Sequence, residues 1–312
     1  MPWNERTKRR LKLRDLDILA VLIDAGTMGK AASRLNVSQP AVSKAVAELE
    51  RALGVRLVDR GRRGITPTPY GLALQKRSVA IFNDLRQSVQ DIDFLSDPTT
   101  GEIRIGTTDP VSVAMVSPCI DRLSRKYPRM SFHVIAHDTV GLYREVMERN
   151  VELAICRMLG PLPAELAAEV LFHDSLAILT SARNPMTRRH KVTLADLVNE
   201  PWVQLPGDSL FGSMVIEVFR AHGHEPPRPT VVTHSEYLKN DFLAKGRFLT
   251  VLPSFMLKVP GWHPRLRALP IALPNTRAPI GLITLKGRML TPVAQLFIDN
   301  VRAVAKPLAQ GA

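Results

Sequence analysis

Cysteine is nearly absent from this sequence, with only Cys119 and Cys156 in 312 residues. Neither has a Cys or His neighbour at metal-ligand spacing, which excludes a zinc ribbon or a disulfide framework. They read as buried free thiols in a reducing cytosol, and a redox-sensing pair is the alternative left open. Long apolar runs are also missing. Nothing approaches the roughly 18 consecutive apolar residues of a membrane span. The basic segment 6–14 is not followed by an apolar core, because Asp15, Asp17 and Asp24 interrupt the stretch after it. That excludes a secretory leader, so a cytoplasmic location without membrane contact is expected. The catalytic signatures G-x-S-x-G, the P-loop, G-x-G-x-x-G and H-E-x-x-H do not occur. His173-Asp174-Ser175 are neighbours that strand alternation would point apart, and they read as ordinary boundary residues. No enzyme activity, no cofactor and no metal are expected.

Acid is scarce beside base, with 29 Asp and Glu against 42 Lys and Arg, a net charge of +13. The excess is uneven. Residues 1–70 hold 14 basic against 7 acidic side chains, and the far longer remainder holds 28 against 22. A positive field concentrated in one quarter of the chain suits a polyanion such as nucleic acid. Arg6, Lys8, Arg9, Arg10 and Lys12 form a basic arm that either touches DNA phosphates or is merely solvated.

What is present within that quarter is a pair of short apolar-periodic segments. They are separated by Asn36-Val37, and each has an N-cap residue in front, Thr27 and Ser38. The second begins S-Q-P-A-V-S-K. Val42, Val46, Leu49 and Leu53 share one of its faces, toward a core with Leu16, Leu19, Ile23, Ala31, Ala32 and Leu35. The opposite face keeps Gln39, Ser43, Lys44 and Ala47, polar at the start and small in the middle, so it can seat in a major groove. Gly54 is placed as a left-handed stop. Arg60, Arg62 and Arg63, interleaved with Gly61 and Gly64, make a cationic turn suited to phosphates or to a minor groove.

The order of cap, helix, turn, S-Q-P-A-V-S-K, L-E-x-x-L-G-V-x-L, D-R, arginine-rich turn and T-P-x-x-G resembles the winged helix-turn-helix of the LysR-type transcriptional regulators. The likeness runs from about residue 11 to residue 306 and is most specific over the first 71. It implies DNA contacts from Ser38, Gln39, Pro40, Ser43, Lys44, Arg60, Arg62 and Arg63. It also implies double-stranded operator DNA as partner, with RNA polymerase as a further candidate. The sequence departs from the pattern at Leu19, Met28 and Val58, where aromatics are usual, and at Gly29, where Ser or Thr is usual. Phe248 stands where the second glycine of a pair is usual, which removes the ground for an effector contact there.

The winged domain is thus placed at 1–70 and a linker helix at 71–97. On that helix Val79, Phe82, Leu85, Val89 and Ile92 mark an apolar seam with too little protein beside it to bury it. A second subunit covers it most simply, as the resemblance also implies, giving a homodimer or homotetramer. From 98 to 312 the texture alternates strand and helix, which reads as α/β with mostly parallel sheets. The resemblance implies a two-lobed, periplasmic-binding-protein-like effector domain: lobe I at 98–173 and 277–312, lobe II at 174–276. A small-molecule effector, unidentified, would bind between the lobes. Gly106-Thr107-Thr108-Asp109 follows a strand and precedes a helix, where ligands of α/β sheets bind. Thr107, Thr108 and Asp109 are therefore candidates, with Arg157 past another strand, and with Gly207 and Ser209 in the matching turn of lobe II. A solute-binding protein would explain the second half alone. A purely architectural DNA binder would leave some 200 residues without a task.

Overall fold

The computed structural model describes residues 10–61, 64–97, 99–260 and 265–309. Arg62 and Arg63, and Arg6, Lys8 and Arg9 of the basic arm, lie outside the described residues. The chain divides into two compact units, Met1–Val89 and Gln90–Ala312.

The first unit is built on α1 (Leu13–Ala25), α2 (Met28–Leu35) and α3 (Gln39–Leu53). The expected caps form: Thr27 Oγ1 accepts from Lys30 N at 3.3 Å and Ser38 Oγ from Ala41 N at 3.4 Å. Gly54 ends α3 at φ 69°, a left-handed value that costs a Cβ-bearing residue energy. Leu16, Leu19, Leu22, Val42, Val46 and Leu49 are fully or nearly buried together. Each such side chain contributes about 1.5–3 kcal/mol of burial, so this small core rests on very few residues. The arginine-rich turn proves to join two strands, β1 (Val58–Gly61) and β2 (Gly64–Pro67), paired antiparallel. The wing is fastened at both ends. Glu50 Oε1 accepts from Leu57 N at 2.8 Å, and Ile65 N donates to Gly26 O at 2.7 Å.

A long helix, α4 (Pro69–Ser96), follows. Thr68 Oγ1 accepts from Gly71 N at 3.1 Å and donates to Arg56 O at 2.8 Å. Gly71 is required by close approach, since a Cβ there would collide with the Leu57 carbonyl.

The second unit holds a five-stranded sheet ordered β4-β3-β5-β12-β6. Its strands are β3 (Thr100–Thr107), β4 (Arg129–Ala136), β5 (Leu153–Arg157), β6 (Leu166–Asp174) and β12 (Ala278–Leu285). β3 runs parallel to β4 and β5, but β12 runs antiparallel to β5 and β6. The other lobe has an antiparallel sheet of β7 (Leu176–Ser181), β10 (Leu249–Pro253) and β11 (Leu266–Ala268). It also has a short parallel pair, β8 (Val203–Gln204) and β9 (Val231–Val232). The expectation of mostly parallel sheets is therefore corrected. β12 returns from the other lobe, and its direction is set by that crossing rather than by a helix on the sheet face.

The helix expected at 112–127 starts earlier. A turn at Asp109–Val111 leads into a π segment, Ser112–Val116, and then α5 (Ser117–Lys126). Pro118 has no N–H to give, so the ladder changes register there. Further helices are α6 (Thr139–Met147), α7 (Leu210–Ala221), α8 (Glu236–Ala244) and α9 (Pro292–Ala309). The lobe boundary is also corrected. Phe255 and Met256, expected in lobe II, bury in the core of lobe I, with Phe255 edge-on to Phe172 at 5.8 Å. No helix among the described residues is long and apolar enough to cross a membrane.

Candidate nucleic-acid interface, linker seam and ligand cavity

The first candidate site is the N-terminal end of α3. Ser38, Gln39, Pro40 and Lys44 are exposed, and Ser43 is half-buried beside them. Their exposure follows from the register that buries Val42, Ala45, Val46 and Leu49 on the other side. Ser38 Oγ is engaged as the cap, so its freedom to reach a base is limited. Arg60 Nη2 donates to Ser43 Oγ at 3.2 Å, which ties the wing cation to the helix at its exposed polar face. Sequence reasoning placed both residues at the interface but not their contact, which needs the β1 register to exist. Arg62 and Arg63 fall outside the described residues.

The second is the seam of α4. Val79, Leu85, Val89 and Ile92 are 40%, 47%, 52% and 63% exposed, and Leu95 reaches 77%. Phe82 differs: it packs against the core of the winged domain. It therefore also has a part in the domain's own fold, because α4 lies along that core at this turn.

The third is a cavity of about 700 Å³ between the two sheets of the second unit. Thr108, Asp109, Arg157 and Ser209 line it; Thr107 and Gly207 do not. Thr107 is fully buried at the end of β3, and its hydroxyl donates to Thr108 O. Thr108 makes no side-chain cap bond, so its hydroxyl is not committed to the helix start. Ser209 is committed: Oγ donates to Pro206 O at 2.6 Å and accepts from Gly212 N at 3.0 Å. Phe248 is core, 3% exposed and packed on Phe242.

Arg157 is the last residue of β5 rather than past it, and it is 4% exposed. Its Nη1 donates to Asp174 Oδ2 at 3.3 Å, and its Nη2 donates to Asp174 O at 3.0 Å and to Thr276 O. Asp174 in turn accepts from Ser254 Oγ at 2.6 Å and from the N–H groups of Ser254 and Phe255, each at 3.0 Å. Burial holds the Asp174 carboxyl above its ordinary value, against the pull of Ser254 and Arg157. Burial likewise lowers Arg157, with Asp174 opposing. Asp174 is thus corrected from an ordinary boundary residue to the centre of a buried network.

Lys239 was also missed. It is 4% exposed, lines the cavity and pairs with Glu236 one turn earlier on α8. A lysine on a helix reads as solvated, and only tertiary packing encloses it. His137, His234 and Asp208 join the lining, with Leu159, Leu205, Phe211 and Val251 as its apolar part.

Cys119 and Cys156 are fully buried in separate clusters, and burial pushes both thiols up to about 12. A thiol so raised stays protonated and is a poor nucleophile near neutrality. We therefore expect no thiol to react with iodoacetamide at pH 8 in the folded protein, and both to react in urea. Mass spectrometry counts the adducts, and alkylation of the folded chain would restore the redox-sensing alternative.

Residues 96–306 match the family described as LysR substrate binding domain, and residues 13–72 match the bacterial regulatory helix-turn-helix protein, lysR family. The chain is 29% identical over 310 residues to the HTH-type transcriptional regulator GbpR of Azospirillum brasilense, across 97% of this chain and 90% of that one. It is 26% identical over 266 residues to the transcriptional dual regulator GltC of Bacillus subtilis, across 84% and 86%. Among solved structures it is similar to CbnR, a LysR family transcriptional regulator, with TM-score 0.67 and 20% identity over 95% of this chain and 99% of that one. Full-length CbnR complexed with its target DNA matches at TM-score 0.68 and 20% identity, over 94% and 100%. At that identity the structural likeness speaks for the fold.

Proposed function

From the premise that the chain belongs to the LysR family of DNA-binding transcriptional regulators, we propose how its parts divide the work. It is a regulator with a substrate-binding effector domain, not an enzyme. In our reading Gln39, Pro40, Ser43 and Lys44 read base edges of a promoter operator from the major groove. Arg60 sits where it can neutralise backbone phosphate while steadying Ser43. Two copies pair through α4 and address two half-sites, as a dimer or as a dimer of dimers. A small effector occupies the interlobe cavity, with the free hydroxyl of Thr108 as one contact, and shifts the balance between lobe arrangements. RNA polymerase is the further partner this reading includes, and the cytoplasm, where bacterial DNA lies, is its place.

The observation that carries the DNA reading is the exposed polar start of α3 beside an arginine anchored to it. Gln39→Ala is expected to weaken specific operator binding by about 1–3 kcal/mol while leaving non-specific affinity nearly unchanged. Arg60→Ala should instead lower the salt slope of log K by about one and weaken binding to every sequence, with a further loss at the operator because Ser43 is no longer braced. Footprinting and salt titration of the two variants separate these outcomes. An unchanged operator preference in the Gln39 variant would exclude that residue from base readout.

A further inference from the structure

One end of lobe II collects arginines. Its antiparallel sheet has the order β10-β7-β11. At one end of that sheet Leu176 pairs with Pro253, beside the hinge. There the chain leaves lobe I at Asp174, between β6 and β7, and returns at Thr276, just before β12. Arg157 bonds to both crossings. At the other end Thr180 pairs with Leu249, and Ser181 with Leu266. The two ends are roughly 14 Å apart by the rise of an antiparallel strand. At the far end Ala182 N donates to Arg265 O at 2.6 Å, and Asn184 Nδ2 to Arg247 O at 3.3 Å. Three separate segments, 182–191, 245–247 and 265–267, are thereby tied together.

Those segments carry eight Lys and Arg and no Asp or Glu. Two of the cations are neutralised, Arg189 by Asp196 at 3.4 Å and Lys245 by Asp241 at 2.8 Å. Arg183, Arg188, Arg247 and Arg265 are exposed, and none has a carboxylate partner among the described residues. The frame beneath them is made of buried polar side chains. Asn184 Oδ1 accepts from Met186 N at 2.9 Å, and Ser181 Oγ from Arg183 N at 3.3 Å. The Arg247 guanidinium lies over the Phe248 ring at 4.9 Å, so it has less freedom to lose on binding.

Like charges held together repel, so within one subunit this end works against the fold. A partner of opposite charge offsets the repulsion. Guanidinium forks engage phosphate oxygens two at a time, which favours a phosphate polymer over scattered carboxylates. The large apolar side chains of these segments, Met186, Phe248 and Leu266, are buried, so they offer no anchor to a lipid interior. Duplex DNA is already the partner of this family, and its phosphates continue on both sides of the bases that a winged domain can read.

We propose that the far end of lobe II is a second, sequence-independent DNA surface, where Arg183, Arg188, Arg247 and Arg265 neutralise phosphates flanking the operator core. This rests on the reading of the winged domain as the site that addresses the core. The charged end lies opposite the hinge. A rotation of lobe II about the crossings therefore displaces it further than the residues beside the cavity. A ligand that shifts the lobes would then alter the hold on the flanking duplex, and with it the path of the DNA.

Two duplexes separate the surfaces on the full-length protein. One carries only the core sequence enriched from a random library by in vitro selection, and the other adds random flanks on both sides. Arg183→Gln, Arg188→Gln, Arg247→Gln and Arg265→Gln together should weaken binding to the flanked duplex at least tenfold. They should lower its salt slope of log K by about three to four. Affinity for the core duplex should stay within twofold of the parent's. The same four positions changed to Lys keep the charge and should restore both quantities, with melting temperatures verifying the fold. Gln39→Ala should weaken both lengths alike; if it weakens neither, the reading of the winged domain fails on its own account. An unchanged slope on the flanked duplex in the Gln variant overturns the second surface. So does an equal loss on both lengths, or a Lys variant that restores nothing, since a structural defect gives those results. Binding of the parent, but not of the Gln variant, to phosphatidylglycerol vesicles with the DNA slope unchanged assigns the patch to a membrane and overturns the DNA surface.

Discussion

Replacing Asp174 with alanine is expected to destabilise the second unit by about 3–5 kcal/mol, the usual result of stranding one member of a buried ion pair. Asp174 is 2% exposed and receives Arg157, the Ser254 hydroxyl and two backbone N–H groups. Alanine would leave a guanidinium and three further donors without this acceptor, in a place that water does not readily reach. Asp174→Asn keeps one carbonyl acceptor and should lose less. The double change Arg157→Met with Asp174→Leu removes both charges and should recover much of the loss, because the desolvation of each ion goes with it. Urea unfolding of the full chain, followed by hydrogen exchange at the two crossings, measures all three. A loss under 1 kcal/mol for Asp174→Ala would mean that the network does not clamp the hinge. The comparison also bears on function, since a variant that folds but no longer holds its crossings should respond weakly to any ligand.

Charging the seam of α4 should have the other large effect. Leu85→Asp together with Ile92→Asp is expected to yield a monomer that no longer protects an operator. Two copies would lose four apolar side chains from the interface, at about 1.5–3 kcal/mol each when fully buried. Even the lower figure, roughly 6 kcal/mol in total, weakens association by about four orders of magnitude. The choice of positions matters. Leu85 and Ile92 stand in solvent within one subunit, whereas Phe82 supports the winged core and would confuse misfolding with dissociation. Light scattering at micromolar concentration reads the assembly, and circular dichroism verifies that the helix persists. An oligomer that survives both charges would move the interface elsewhere, and full DNA affinity in a monomer would refute paired half-sites.

The winged domain was the most legible part of the chain. Its helices are short, capped and closely spaced, and their contacts are mostly local, so Thr27, Ser38 and Gly54 could be placed from residue type alone. The wing itself was read only as a turn. Val58–Gly61 and Gly64–Pro67 are four residues each, too short for alternation to register, and they become strands by pairing with each other. In the second unit the strand Leu166–Asp174 was not anticipated. Its stretch L-A-A-E-V carries helix-favouring residues, and only its edge position beside β12 makes it a strand. Single strands such as Thr100–Thr107 and Leu153–Arg157 announced themselves by β-branched and apolar content, but their neighbours and directions did not.

The candidate ligand site was legible only in outline. Thr108 and Asp109 could be placed because a strand that turns into a helix is a local event. Gly207 does not line the cavity although Leu205, Asp208 and Ser209 of the same turn do, and which residues of a turn face inward is not marked in its composition. Lys239 and Asp174 could not be found at all. Nothing in a lysine or an aspartate announces burial, which depends on segments far away in the chain. Asp174 meets Ser254 and Phe255 some 80 residues later, and Arg157 meets Thr276 across 119.

By itself, then, the sequence determined the class of partner, the capped helix proposed to meet it and the presence of a seam, all of which rest on periodicity, capping and charge density acting over one or two turns of chain. The two lobes came only from the resemblance. Only the tertiary structure decided that Arg60 braces Ser43, that β12 runs against its neighbours, and that one arginine joins the cavity to both crossings. Those facts depend on long-range closure. A buried charge is tolerated only where distant segments bring its partners, so its place cannot be read until the whole chain is folded.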